Sequence, residues 1–164
     1  MAKKVDIKSF ISELGTKLKE KMKSKAIVSF DDLKSIGRKK DIKRVLIVED
    51  DHFVRESLRR TLELDGHRVT LASDGMELMD LMDEFPFDLI ILDVGLPWLN
   101  GYELAEMMQK HPVMKKTPIV FVSGHTDIDA IKKGFRLGAG DYITKPFEID
   151  TVRKTVNTLI ELNS

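Results

Sequence analysis

From residue 43 onward the apolar positions alternate between short continuous blocks and helically spaced stripes. Val45-Leu46-Ile47-Val48 is a β-branched block closing in acid, the pattern of a strand buried on both faces. A helical stripe follows, with Phe53, Leu58, Leu62 and Leu64 apolar and Arg55, Arg59 and Arg60 polar, and Asp65-Gly66 stops it. Residues 67–72 predict a second strand. Ser73-Asp74-Gly75 opens a helix with Met76, Leu78, Met79, Leu81, Met82 and Phe85 apolar, broken at Pro86. The helical spacing of Met76, Met79 and Met82 predicts core positions. Residues 88–93 predict a third strand, apolar inside and ending in Asp93. Asn100-Gly101 starts a helix running to about His111, with Pro112 beyond it. Residues 118–122 predict a fourth strand, and 127–137 a helix closed by Gly138. A short fifth strand over 141–144 and a last helix over 148–162 complete the pattern.

Five strands alternating with five helices predict an α/β fold, a doubly wound five-stranded parallel sheet with helices on both faces. Ligands of such sheets bind beyond the carboxyl ends of the strands. Those ends are Glu49-Asp50-Asp51, Asp93, Ser123-Gly124 and Lys145-Pro146. Carboxylates gathered on one edge repel one another, and desolvation raises the cost. A hard cation relieves it, and all-oxygen donors with open positions suit Mg²⁺. Lys145 is a compact charge for a phosphoryl oxygen or carboxylate. The Ser123 hydroxyl can donate to the same group, and Asp93 is a nucleophile able to form an acyl phosphate. Each residue alone has an ordinary reading as a helix cap, a turn residue or a solvated lysine. Their order at successive strand ends points to one phosphoryl site.

Leu46-Ile47-Val48-Glu49-Asp50-Asp51, Leu92-Asp93-Val94-Gly95-Leu96-Pro97, Asn100-Gly101 and Tyr142-Ile143-Thr144-Lys145-Pro146-Phe147 resemble the motifs of two-component response-regulator receiver domains of the chemotaxis-regulator kind. The resemblance covers about residues 43–164. It implies a flavodoxin-like strand order of 2-1-3-4-5 and Mg²⁺-dependent phosphorylation of Asp93. It also implies that Asp50 binds Mg²⁺ directly, that Glu49 acts through water, and that Gly95 lends its backbone carbonyl. Ser123 and Tyr142 match the two switch residues, Lys145 the phosphoryl-binding lysine, and Pro146 a cis proline. The implied partners are a sensor histidine kinase or phosphotransfer protein and a downstream protein target, with a homodimer possible. The implied chemistry is self-phosphorylation and self-dephosphorylation, without enzymatic turnover of a separate substrate.

Asp51 reads instead as the N-cap of the first helix. Gly95 and His125 depart from the commonest pattern at positions thought to tune dephosphorylation in the family, and His125 reads as a plain loop residue. Trp98 reads as a partly exposed loop aromatic. His52, His67 and His111 lack metal-ligand spacing and read as structural.

Rival uses of the same architecture fit less well. A flavodoxin-like protein would need amides and hydroxyls where Glu49-Asp50-Asp51 would repel a phosphate. A haloacid-dehalogenase-type phosphatase would need a second aspartate at position 95, which is glycine, and no Walker loop is present. A degenerate receiver that only docks stays open as an alternative, as does nucleic-acid or membrane binding through residues 1–40.

Composition narrows the class further. There is no cysteine, which excludes disulfides and thiolate chemistry. No apolar run approaches a membrane span, and the first residues lack a secretory signal, so a cytoplasmic protein is expected. No DNA-binding domain is evident, and no output domain is expected after the last helix.

The zero net charge hides an asymmetry. Residues 1–44 hold 14 Lys/Arg against 6 Asp/Glu, and residues 45–164 hold 13 against 21. The chain therefore divides into a basic N-terminal extension, 1–40, and a receiver, 41–164. On a helical wheel Ile7, Phe10, Ile11, Leu14, Leu18 and Met22 fall within about 120°, one apolar stripe. This predicts an amphipathic helix over 6–24 that needs a partner surface. Its own domain or a second copy is favoured, ahead of another protein, an anionic membrane or nucleic acid. A short helix over 31–36 and a linker at 38–40 complete the extension.

Overall fold

The computed structural model describes residues 11–13, 15–16, 42–84 and 86–164. It divides into two compact units, Met1–Asp41 and Ile42–Ser164. In the first unit residues 11–13 and 15–16 are helical, and Thr16 Oγ1 donates to the Ser12 carbonyl at 3.1 Å. The rest of the helix expected over 6–24, the short helix over 31–36 and the linker lie outside the described residues.

The second unit alternates strand and helix throughout. The strands are β1 (Arg44–Val48), β2 (Arg68–Ala72), β3 (Leu89–Asp93), β4 (Ile119–Ser123) and β5 (Ala139–Thr144). The helices are α1 (His52–Leu64), α2 (Gly75–Leu81), α3 (Gly101–Lys110), α4 (Ile128–Arg136) and α5 (Ile149–Leu162). A short 3₁₀ turn, Met114–Lys116, lies between α3 and β4. All strands pair in parallel, in the order β2-β1-β3-β4-β5. This is the doubly wound, flavodoxin-like strand order expected from the sequence.

Alternation along each strand sorts the core into two layers. Leu46, Val48, Ile90, Leu92, Ile119 and Phe121 pack with Leu78, Met82, Leu104 and Met108 of the α2–α3 side. Val45, Ile47, Leu89, Ile91, Val120 and Val122 pack with Leu58 and Leu62 of α1 and Val152, Val156 and Ile160 of α5. β3 and β4 are buried along their whole length, which is why they read as continuous apolar blocks.

Two of the three methionines of this segment correct the reading above. Met82 is buried, but Met76 and Met79 are 66% and 37% exposed. Six of the ten residues 76–85 are apolar, so spacing alone leaves the phase of the helix open. Gly75, Leu78 and Met82 take the sheet-facing side, and Met76 and Met79 fall on the flank. Phe53 and Leu64, at the ends of α1, are exposed for a similar reason.

The helix ends follow ordinary capping chemistry. Asp51, Asp74, Asn100 and Asp127 each accept a backbone N–H as N-caps, and Asn100 with Glu103 forms a capping box. Two histidines are structural. His67 Nε2 pairs with Asn157 Oδ1 at 2.9 Å. His111 Nδ1 accepts the Val113 and Met114 N–H groups, while its Nε2 reaches Asp83.

Candidate functional site

Glu49 extends β1 by one residue, its N–H bonded to the Ala72 carbonyl at 3.1 Å. The turn into α1 is then tied down. Asp51 Oδ1 accepts the Val54 N–H at 2.9 Å, capping the helix, and the Asp51 N–H donates to Glu49 Oε1 at 3.1 Å. Arg55 Nη1 donates to the carbonyls of Glu49 (2.7 Å) and Asp50 (3.2 Å). This clamp was missed in the sequence, where Arg55 looks like any polar residue on a helix surface.

Asp93 closes β3 one register step from the end of β4, opposite Val122. Its Oδ1 accepts the Gly95 N–H at 3.0 Å. The chain then loops into α3, whose first residue lies hard against the strand it left. A Cβ on Gly101 would stand 2.4 Å from the Asp93 carbonyl oxygen, so only glycine fits the Asn100-Gly101 step. On the far side, β5 pairs Thr144 with Ser123, and the ladder continues as Lys145 N–H donates to the Ser123 carbonyl at 2.7 Å. The Lys145–Pro146 bond is cis.

These steps bring Lys145 Nζ to 3.0 Å from Glu49 Oε2 and 3.1 Å from Asp93 Oδ2. Two nearly solvent-free carboxylates, Glu49 at 2% and Asp93 at 3% exposure, thus share one ammonium. Burial, then the Asp93 charge, push the Glu49 carboxyl up to about 7, against the pull of the Asp51 N–H and Lys145. Burial alone would lower the Lys145 ammonium, but its bond to Glu49 and the charges of Asp93 and Glu49 hold it above its usual value.

One cation against two buried acids leaves negative charge to be met. Glu49, Asp50 and Asp93 offer oxygens that all lie within 4.8 Å of one another. An all-oxygen set of this size, with Asp50 exposed, fits a hard divalent cation that keeps several waters. Gly95, the remaining expected donor, sits in the same loop, its N–H engaged by Asp93.

Ser123 is fully buried, and its Oγ accepts the His125 N–H at 3.0 Å. The Tyr142 hydroxyl donates to the His125 carbonyl at 3.1 Å and lies 3.0 Å from the Tyr102 hydroxyl, which itself reaches the Ala130 carbonyl. Two hydroxyl protons serve three contacts, so this cluster joining β5, α3, α4 and the β4–α4 loop has more than one hydrogen-bond arrangement. The Tyr142 ring packs beside Gly134, where a Cβ would come within 2.8 Å of it. Next to Lys145 an apolar hollow of about 540 Å³ opens between α1 and the start of α5, lined by Phe53, Val54, Pro146, Phe147 and Ile149.

Among the described residues no helix is long and apolar enough to cross a membrane. The response regulator receiver domain family model matches residues 45–157. The chain is 35% identical over 121 residues to the response regulator MprA of Mycobacterium sp. (strain KMS), covering 74% of this chain and 52% of that protein. It is 33% identical over 114 residues to the transcriptional regulatory protein CrdR of Helicobacter pylori, covering 70% and 53%. The structure of the Francisella response regulator 1452 receiver domain superposes with a TM-score of 0.70 at 30% identity, covering 74% of this chain and 99% of that one. The chain belongs to the response-regulator receiver family. It spans about half the length of the curated relatives it matches.

Proposed function

We propose that this protein is a phosphorylation-activated receiver that takes a phosphoryl group onto Asp93. One observation carries the reading: the buried Asp93 carboxylate is held by Lys145 and the Gly95 N–H, with Glu49 and Asp50 beside it. An Asp93 oxygen attacks the phosphorus of a phosphohistidine on a sensor kinase or phosphotransfer protein. The O–P bond forms as the P–N bond breaks, and the departing imidazole nitrogen takes up a proton. Lys145 then stands against the negative oxygens of the transferred group. Mg²⁺, held by Glu49, Asp50, Asp93 and the Gly95 carbonyl, would supply charge neutralisation there. Hydrolysis returns Asp93 to its free state, so the protein modifies itself and is not an enzyme acting on a separate substrate. The apolar hollow beside Lys145, with Phe53 on its rim, is a landing place for the phosphodonor. This reading implies a cytoplasmic protein.

Ser123 and Tyr142 would report the phosphoryl group, the hydroxyl turning toward it and the Tyr142–Tyr102 contacts rearranging. The output we propose is a protein contact. The likeness to a transcriptional regulatory protein of about twice the matched length supports a second reading, in which a DNA-binding segment carries the output. Acetyl phosphate should add one phosphoryl mass to the protein, and Asp93→Asn or a chelator should abolish the addition. Labelling that survives Asp93→Asn overturns the assignment.

A further inference from the structure

Between Arg68 and Lys110 the chain holds no lysine or arginine and nine acidic residues. This stretch builds α2, the β3–α3 loop and α3, and these elements touch. A Cβ on Gly75, the first residue of α2, would lie 3.1 Å from Leu104 Cδ2 on α3 and 3.4 Å from Leu99 Cβ in the loop. Met79 follows Gly75 by four residues and Met107 follows Leu104 by three, the spacings that put each on or beside the contacting face of its helix. Met76, Met79, Met107 and Trp98 are all exposed, Trp98 at 97%. The Leu99 N–H donates to the Pro97 carbonyl at 2.8 Å across Trp98, whose φ is 70°. A γ-turn of this hand is rare and strained for a residue with a side chain, and here it carries the indole into water.

Four large exposed apolar side chains on elements that also carry Glu77, Asp80, Glu103 and Glu106, in a stretch of sequence without lysine or arginine, match a lysine-rich amphipathic helix. Methionines adapt to an apolar stripe, and the acids complement its lysines. The same chain carries such a segment. The stripe Ile7, Phe10, Ile11, Leu14, Leu18 and Met22 runs beside Lys17, Lys19, Lys21, Lys23 and Lys25. Residues 11–13 and 15–16 are helical, and Ile11 of the stripe is among them. We propose that residues 6–24 of one copy dock on the α2–α3 seam of a second copy, forming a reciprocal dimer that does not require the Asp93 site.

Sedimentation velocity on the full chain, over a concentration series at low and high salt, tests this. The expected result is a monomer–dimer equilibrium weakened by salt. Glu77→Lys with Asp80→Lys should weaken it about tenfold or more, and Lys19→Glu with Lys23→Glu should do the same. Mixing the two charge-reversed chains should restore association, because each offers the other a complementary pair. The recovery also shows that neither variant has merely misfolded. A chain that stays monomeric at every concentration overturns the proposal. So does a dimer indifferent to the α2 reversals, or a mixture that fails to recover.

Discussion

Lys145 Nζ stands 3.1 Å from Asp93 Oδ2, across 52 residues of chain. The same ammonium meets Glu49 at 3.0 Å, so one lysine holds together the ends of β1, β3 and β5. Its removal separates two roles. Lys145→Met should slow labelling of Asp93 by acetyl phosphate by about 10²-fold, the scale for losing one preorganised electrostatic group. Mg²⁺ should bind at least as tightly, since a cation has left the donor set. Mass spectrometry for labelling and calorimetry for Mg²⁺ check the two outcomes. Parallel loss of both would mean that the lysine holds the site's shape rather than the phosphoryl group.

Glu49 gives a pH dependence whose sign is fixed by its raised carboxyl, about 7 against an ordinary 4.5. A group protonated more readily in the folded state stabilises the fold fully below its unfolded pKa, and that contribution disappears as pH rises through the folded value. Without metal, the Glu49 contribution is therefore complete below about pH 4.5 and gone above about 7. Glu49→Gln, which stays neutral, should be more stable than the parent at pH 8 and similar to it below pH 5. Mg²⁺ favours the charged carboxylate, so it should stabilise the parent more at pH 8 than at pH 6. Thermal unfolding at these pH values, with and without Mg²⁺, checks both.

Gly101→Ala forces a Cβ to 2.4 Å from the Asp93 carbonyl oxygen, a backbone atom that cannot turn aside. The start of α3 must shift away from β3, at a cost of about 1–3 kcal/mol by the scale for overpacked sites. Because the strained atom belongs to the residue bearing the proposed nucleophile, labelling should fall together with stability. Denaturant unfolding and acetyl phosphate kinetics on one sample check this.

Ser123→Ala removes the hydroxyl that accepts the His125 N–H at 3.0 Å but leaves Asp93, Lys145 and the acids in place. Phosphorylation should proceed, while the phosphorylation-dependent change in the β4–α4 loop should be lost. Amide hydrogen exchange over residues 124–136, with and without beryllofluoride, is the measurement. A variant that keeps the full change would remove Ser123 from the switch.

The α/β architecture was legible in the sequence because β1, β3 and β4 are buried on both faces and so appear as unbroken apolar blocks. The members of the candidate site were legible as well, because a parallel sheet delivers every strand's carboxyl end to one edge. Glu49, Asp50, Asp93, Ser123 and Lys145 could therefore be named from their positions alone. Tertiary contact decided what local pattern cannot encode. The phase of α2 depends on where Leu104 meets Gly75, so the exposure of Met76 and Met79 was invisible in a segment apolar at most positions. The Arg55 clamp and the shared Tyr102–Tyr142 protons arise from side chains meeting across elements, and neither leaves a spacing to read. The Glu49 carboxyl near 7 has the same origin: the sequence supplies a carboxylate, and only the fold removes its water and sets Asp93 beside it.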